Sequence, residues 1–151
     1  MDKKQKKELL VAICGYLPYG IVCDRPSGNS VITKIYFDKE YNDWVAYNEE
    51  GLGGSITFEK PYLRPLSSMT EDEVLNLYKM FGFYYLQDLH ELTDEWRHFK
   101  GAIKENKLFL PYPIWADDLE KGYDYLRSIH IDYCNLIDKG LALPATDGMY
   151  K

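Results

Sequence analysis

The spacing of apolar and polar positions divides the chain into an N-terminal helix, a run of short strands and a helical second half. Near the start, apolar residues recur at helical spacing at Leu9, Ile13 and Leu17, and Pro18 ends the run. From about residue 20 to residue 60, β-branched and aromatic segments alternate with turn-forming clusters, and no helical pattern intervenes. Strands that follow one another directly favour antiparallel pairing, so this region predicts a meander of three or four strands.

The second half begins with two prolines, Pro61 and Pro65, which predict the end of the sheet because each lacks a backbone donor. A helix then starts at Thr70, whose side chain is expected to form a capping box with Glu73. Gly82 is expected to kink or split this helix. The apolar residues that continue its stripe at helical spacing are Val74, Tyr78, Phe81, Tyr85, Leu89, Leu92, Trp96, Phe99 and Ile103.

Two more helices are predicted near the C-terminus. Apolar spacing indicates one from Trp115 to Ile129. A short one is expected over residues 133–139, with Asp132 as its N-cap and Gly140 just after its end. The elements together predict an α+β fold, in which an N-terminal helix and a three- to four-stranded antiparallel meander are followed by a helical C-terminal half packed on one sheet face. Because no linker or repeat divides residues 1–151, we expect a single globular domain.

The composition narrows the class of protein. Hydrophobic residues make up 46% and charged residues 28% of the chain, which excludes a disordered or low-complexity protein. Lysine and arginine total 18 against 24 acidic residues, for a formal net charge of -6. This charge has the wrong sign for general attraction to a phosphate backbone, so nucleic acid is disfavoured as a partner.

The start of the chain resembles a secretory signal only superficially. A lysine-rich segment precedes the uncharged run from Leu9 to Cys23, but Gly15, Pro18 and Gly20 interrupt that run. No stretch approaches the roughly twenty apolar residues of a membrane span. The odd number of cysteines and their apolar surroundings predict buried, reduced thiols and a cytoplasmic protein; they are Cys14, Cys23 and Cys134.

Three segments carry a resemblance to a known family. They are the opening residues 17–20, the residues 60–70, and the C-terminal block 130–150, which runs from His130-Ile131-Asp132 to Gly148-Met149-Tyr150. The chain resembles a family of small uncharacterised proteins from gut anaerobes, their phages and mobile elements. The family pattern has Arg and Gly where this chain has Cys134 and Asn135. The resemblance implies a bacterial or phage accessory protein, and it assigns no activity and no functional residue.

Two groups of polar residues have the composition of a catalytic or metal site but not its spacing. His90, Asp94 and His98 follow one another every four residues, which places the two histidines about 12 Å apart along a helix, too far to share one zinc ion. His130, Asp132 and Cys134 have the residue types of a thiol nucleophile with its base, but the expected cap at Asp132 and packing of Cys134 explain them better.

The glycine-rich loop at residues 51–56 does not match the pattern of a dinucleotide-binding loop. Residues 51–56 begin like a dinucleotide fingerprint but have Ile56 at the third glycine position, and the loop precedes a strand. The chain has no phosphate-binding loop with a Lys-Ser/Thr pair, no nucleophile elbow, no Cys-x-x-Cys pair and no metalloprotease helix. We therefore predict no catalytic residue, no metal and no cofactor, and we favour a protein that is not an enzyme.

The remaining signal is a concentration of aromatic residues on the expected strands. Tyr36, Tyr41, Trp44 and Tyr47 are interspersed with Lys34 and Lys39. One interpretation is a protein-binding face for an unidentified protein or for a homodimer, because Tyr and Trp bring large contact area with a polar tip. The alternative is a protein that binds a small molecule or a nucleotide by stacking it on an aromatic sheet face. Such a protein could also be an enzyme. We favour the first, a non-catalytic accessory protein that acts through protein–protein interaction.

Overall fold

The computed structural model describes residues 1–82, 94–110 and 113–150. These residues contain four α-helices and seven strands, and the strands form one mixed sheet. The fold is therefore of the α+β class, as the sequence predicts. The chain forms two compact units, residues 1–63 with 134–151 and residues 64–133. The single-domain interpretation stays a prediction.

The N-terminal helix α1 spans Lys3–Tyr16 and confirms the prediction from apolar spacing. Asp2 caps it, since the Asp2 side chain accepts from the Gln5 amide at 2.8 Å while the Gln5 side chain accepts from the Asp2 amide at 2.9 Å. Its buried residues are Leu9, Ala12, Ile13 and Tyr16. A 3₁₀ helix, Leu17–Tyr19, follows, and Gly20 with φ 73 turns the chain into the sheet.

Four strands of the first unit pair in chain order. They are β1 (Ile21–Asp24), β2 (Ser30–Asp38), β3 (Asp43–Asn48) and β4 (Gly53–Ser55). Each of these strands pairs antiparallel with the next. A bulge between Ile32 and Lys34 shifts the register of β2 against β3. The core of this unit includes Ile21, Cys23, Ile32, Val45, Ala46, Ile56 and Leu63.

The sheet does not end at the two prolines, so that prediction is wrong. After the 3₁₀ helix Ile56–Phe58, the strand β5 (Lys60–Pro65) contains both prolines. It pairs antiparallel with β1, parallel with β7 (Leu143–Pro144) and parallel with β6 (Ile131–Asp132). The prolines fit because other residues donate to the neighbouring chain segments, as Arg64 does through its amide to the His130 carbonyl at 2.8 Å. The predicted meander region, residues 20–60, contains the four antiparallel strands β1 to β4, and β5, β6 and β7 extend the sheet beyond it to seven strands.

The described residues of the second unit contain three α-helices. After a 3₁₀ helix, Leu66–Ser68, α2 spans Glu71–Met80 and begins with the predicted capping box between Thr70 and Glu73. It ends before Gly82, whose φ of 87 stops a right-handed helix. Next come α3 (Asp94–Lys104) and α4 (Ala116–Ser128). Six residues of the predicted stripe are buried, namely Val74, Tyr78, Phe81, Trp96, Phe99 and Ile103, whereas Tyr85, Leu89 and Leu92 lie outside the described residues.

Close packing of α2 on α4 explains a small residue that the apolar pattern does not predict. Gly122 of α4 is buried, and a Cβ there would overlap the ring of Phe81. Trp115, expected on the apolar face of this helix, instead precedes it and is 83% exposed.

The C-terminal segment differs from the prediction. The expected helix over residues 133–139 is a series of turns, and Asp132 lies in β6 and is buried instead of capping a helix. Ile131 and Asp132 are extended because they pair with β5. The spacing of apolar residues along the chain does not reveal pairing with a distant strand. Gly140 does take the left-handed conformation expected of it, with φ 68.

Candidate functional site

The predicted aromatic residues lie toward the far end of the β2–β3 hairpin, but on both of its faces. The rings of Tyr36 and Tyr47 stack with centroids 4.8 Å apart and an interplanar angle of 12°. Phe37 and Trp44 are cross-strand partners whose rings meet edge to face at 5.6 Å. Because side chains alternate along a strand, this second pair lies on the opposite face from the first. Tyr41 lies in the connecting turn and is 73% exposed.

The single aromatic platform that the sequence suggests is therefore wrong. Trp44 and Tyr47 are three residues apart on one strand, and an odd spacing places side chains on opposite faces. Phe37, which was not among the predicted site residues, packs with Trp44 on the other face of the hairpin from Tyr36. Its position directly after Tyr36 in the sequence already indicates opposite faces. We call these five residues the hairpin aromatic cluster: Tyr36, Phe37, Tyr41, Trp44 and Tyr47.

The far end of the hairpin extends past the strands beside it. On one side, β1 pairs with β2 only as far as Ile32. On the other side, β4 pairs with β3 only from Tyr47 to Val45. Within the described residues, the two pairs at the end of the hairpin, Phe37 with Trp44 and Asp38 with Asp43, therefore have strand partners only in each other. Tyr36, Phe37 and Trp44 are 41%, 43% and 36% exposed, so solvent reaches the aromatic side chains on both faces.

One glycine of β4 makes room for the tyrosine stack. Gly53 is the cross-strand partner of Tyr47, and a Cβ at this position would lie 2.6 Å from the tyrosine ring. A side chain of any size would push Tyr47 away from β4. The glycine loop that begins like a dinucleotide fingerprint thus has a packing role in this structure.

Charged groups surround the tyrosine stack. The Lys34 ammonium lies 5.3 Å from the centre of the Tyr47 ring, in the geometry of a cation–π contact. The hydrogen bond with Tyr36, followed by burial and the nearby charge of Asp38, raises the pKa of Tyr47, while Lys34 opposes the change. Tyr47 is therefore protonated and uncharged at physiological pH, and the Lys34 ammonium lies over its ring.

The hairpin is anchored to α1 through Asp43. The Asp43 carboxylate forms an ion pair with Lys6 and accepts hydrogen bonds from the Ser55 hydroxyl at 2.5 Å and from the Trp44 amide at 2.7 Å. Burial works toward a higher pKa for Asp43, but the hydrogen bonds from Lys6, Ser55 and Trp44 outweigh it and hold the pKa below its ordinary value. These contacts fix the start of β3, the strand that carries Trp44, next to the connecting turn.

A buried ion pair between Arg25 and Glu59 was missed by the sequence analysis. Arg25 Nε lies 3.1 Å from Glu59 Oε1, and the two side chains are 5% and 2% exposed. Arg25 also donates to the carbonyls of Leu52 at 3.0 Å and Ala46 at 3.4 Å. A Cβ at Gly54 would come within 3 Å of both charged groups, at 2.8 Å and 2.9 Å. The adjacent glycines were the only signal for this pair, and glycines alone do not indicate what packs over them.

The electrostatics of Glu59 are unusual for a carboxylate that has an arginine partner. Burial raises the pKa of Glu59 to about 7, although the charge and hydrogen bond of Arg25 work to lower it. Cys23 is also fully buried, and burial raises the pKa of its thiol, with the charge of Glu59 adding to the effect. Cys23 is therefore a protonated core residue with no reactive thiolate.

The other residues weighed as sites are placed as follows. Asp94 and His98 lie on α3, and His90 lies outside the described residues. Among the described residues, no group of three or more His, Cys, Asp or Glu side chains is arranged to hold a metal ion. His130 and Asp132 are buried in the second unit. None of the three cysteines, all of which the structure describes, is in a disulfide, but Cys14 is exposed and Cys134 is half-buried, so only Cys23 matches the expectation of a buried thiol.

Comparison with protein-family models, with curated proteins and with solved structures finds no match for this chain. No helix within residues 1–82, 94–110 and 113–150 is long and apolar enough to cross a membrane.

Proposed function

We propose that this protein binds another protein chain through the far end of its β2–β3 hairpin. The supporting observation is the exposure of large aromatic side chains on both faces and at the turn of one protruding hairpin, the hairpin aromatic cluster. Exposed aromatic residues grouped in this way are typical of interaction sites, because they bury much area on binding and lose little side-chain entropy.

The hairpin suits a binding role in a second respect. Asp43 is held by Lys6 and Ser55, so the strand that presents Trp44 is ordered before a partner arrives. Preorganisation of this kind lowers the entropic cost of association. The free outer edge of β2 beyond Ile32 also offers backbone groups for pairing with a strand of a partner, including the same strand of a second copy.

The experiment compares the parent protein with Trp44→Ala and Tyr41→Ala. Molecular mass in solution is measured over a range of concentrations by light scattering, and partners are captured from host lysate. We expect each substitution to abolish self-association or capture of the partner while the thermal midpoint changes little. Truncation of Trp44 removes one exposed edge-to-face contact, worth about 0.5–1.5 kcal/mol.

Trp115→Ala is the matched control, because Trp115 is a more exposed tryptophan that lies in the second unit. This variant should behave like the parent. The proposed interaction is refuted if the parent is monomeric and if the hairpin variants capture the same proteins from lysate as the parent does. If Trp115→Ala alone abolishes binding, the interaction surface is elsewhere.

A second candidate is binding of a small molecule or nucleotide on the face that carries Lys34, Tyr36 and Tyr47. The cation–π contact of Lys34 with Tyr47 favours it, because a stacking surface and a cation suit a nucleotide. Tyr36 and Tyr47 stack on each other, so a base would have to use the outer face of Tyr36. The test is the melting temperature of the protein with and without nucleotides. If nucleotides raise it in the parent but not in Tyr36→Ala, nucleotide binding replaces the protein-binding proposal.

Three further expectations belong to the same proposal. The resemblance to the family from gut anaerobes, their phages and mobile elements supports an accessory role in the cytoplasm of a bacterium. The packing of the helical half on one sheet face stays a prediction, because the buried faces of α2, α3 and α4 share one apolar core within the second unit. The absence of the common catalytic motifs from the sequence supports a protein that is not an enzyme.

A further inference from the structure

One edge of β2 lacks a neighbouring strand, among the described residues, toward the far end of the hairpin. β1 pairs with β2 only as far as Ile32, whereas β3 pairs with the other edge through to Asp38. The bulge in β2 lies before Lys34, so the pairing with β3 is regular from Lys34 to Asp38. We call residues 34–38 the hairpin edge. A regular edge of this kind is a template for pairing with another strand.

Two opposite charges at the ends of the hairpin edge have no ionic partner in the part of the chain that the structure describes. The Lys34 ammonium lies over the Tyr47 ring. Oδ1 of Asp38 accepts from the amides of Glu40 and Tyr41, at 2.8 Å and 3.2 Å, in the connecting turn. Lys34 and Asp38 lie on the same face of β2, but four residues of strand separate them by about 13 Å. They are therefore too far apart to pair with each other.

The hairpin edge is complementary to itself when a second copy pairs with it in the antiparallel direction. If Tyr36 lies opposite Tyr36 of the second copy, Lys34 lies opposite Asp38, and the two-fold symmetry repeats this pair. On the other face, Ile35 lies opposite Phe37 in the same way. Opposite charges and aromatic or β-branched side chains placed directly across two strands stabilise their pairing. The arrangement also covers Tyr36 and Phe37, which are exposed in the single chain.

We propose that a second copy of this chain is the partner of the hairpin. The two copies join through residues 34–38 into a continuous antiparallel sheet, with Tyr36 on the two-fold axis. The proposal rests on the proposed function, because it names the chain that the hairpin binds. One short edge buries less than the roughly 800 Å² per partner of a standard interface, so the dimer is weak and forms at high protein concentration.

Reversal of each charge tests the register, with molecular mass measured by light scattering over a range of concentrations. Lys34→Asp leaves two acids on the hairpin edge and Asp38→Lys leaves two bases, so either variant sets like charges opposite each other twice in a dimer with itself. We expect each to dimerise about ten-fold or more weakly than the parent. An equimolar mixture of the two variants restores both opposite-charge pairs and should dimerise like the parent. Mixing would not rescue residues that only stabilise the hairpin within one chain.

Two further variants serve as controls. Lys104→Asp makes the same change in net charge at an exposed lysine of α3 and should dimerise like the parent. Asp38→Lys also removes the acceptor in the connecting turn, so Asp38→Asn, which keeps a side-chain oxygen there, is measured beside it. Asp38→Asn should weaken dimerisation with an unchanged circular dichroism spectrum. If Asp38→Lys fails to fold, Lys34→Asp and Asp38→Asn decide, and parent-like dimerisation by either overturns the proposal.

The proposal is also overturned if the parent stays monomeric at the highest concentration reached, or if the mixture of folded variants stays monomeric. A monomeric parent that captures a lysate protein, when Trp44→Ala does not, would exclude the second copy as the partner and leave the proposed function standing. A monomeric parent without such a protein would overturn both.

Discussion

Replacing Glu59 by glutamine should change how the stability of the protein depends on pH. Burial raises the pKa of Glu59 from 4.5 to about 7, which means that burial outweighs the attraction of Arg25. An acid with a higher pKa in the folded state binds more protons when folded than when unfolded. Its favourable contribution to folding is therefore complete below about pH 4.5 and is lost as the pH rises through about 7. Glutamine resembles the protonated acid and does not titrate.

The size of the effect follows from the difference between the two pKa values. Over the whole range, the change from 4.5 to about 7 corresponds to about 3 kcal/mol of unfolding free energy. Most of this, about 2.5 kcal/mol, should be lost between about pH 5 and about pH 8. At the lower pH, the parent and Glu59→Gln should have similar stability. At the higher pH, the variant should be the more stable protein, although the substitution removes one partner of a buried ion pair.

Urea denaturation at the two pH values measures these free energies in both proteins. The difference between parent and variant isolates Glu59, since the other ionisable groups are common to both. Glu50→Gln, at an exposed carboxylate, should show no such difference. If Glu59→Gln is instead destabilised by several kcal/mol at about pH 8, as expected when a dominant buried ion pair is broken, then Arg25 outweighs burial and the reasoning is refuted.

The remaining predictions concern packing and thiol accessibility. Gly122→Ala should destabilise the protein by about 1–3 kcal/mol or more, because the new methyl group overlaps the ring of Phe81, which directly follows α2. Gly101→Ala, in open space on α3, should stabilise the protein by about 0.5–1 kcal/mol. Thermal melts measure both effects, and equal effects would contradict the packing. Phe99→Ala should cost about 3–5 kcal/mol in urea denaturation, and an unchanged midpoint would show that the ring is not in the core. Alkylation followed by intact-mass measurement should label Cys14 in the folded protein and Cys23 only after unfolding; rapid labelling of both would contradict the burial of the second.

Local signals account for the parts of the fold that were predicted correctly. The capping box at Thr70 and Glu73 and the helix stop at Gly82 each depend on residues a few positions apart. Buried positions such as Tyr78 and Phe99 follow from helical periodicity in the same way. These features need no knowledge of what the helix packs against.

Errors occurred where pairing between distant segments decided the structure. Pro61 and Pro65 lie within a strand because β1, β6 and β7 pair with it, and none of these neighbours is adjacent in sequence. The segment at Asp132 is extended for the same reason. Non-local pairing outweighs the local preference for a turn or a helix cap, and local spacing does not record it.

The sequence by itself determined the α+β class, the N-terminal helix, the positions of the apolar stripe and the aromatic character of the β2–β3 region. Only the tertiary structure decided which aromatic rings pair across the hairpin and that the hairpin extends past its neighbours. It alone also brought Arg25 and Glu59 together in the core. The physical reason is that periodicity and capping act over a few residues along the chain, whereas strand register and the burial of charge depend on which distant segments meet.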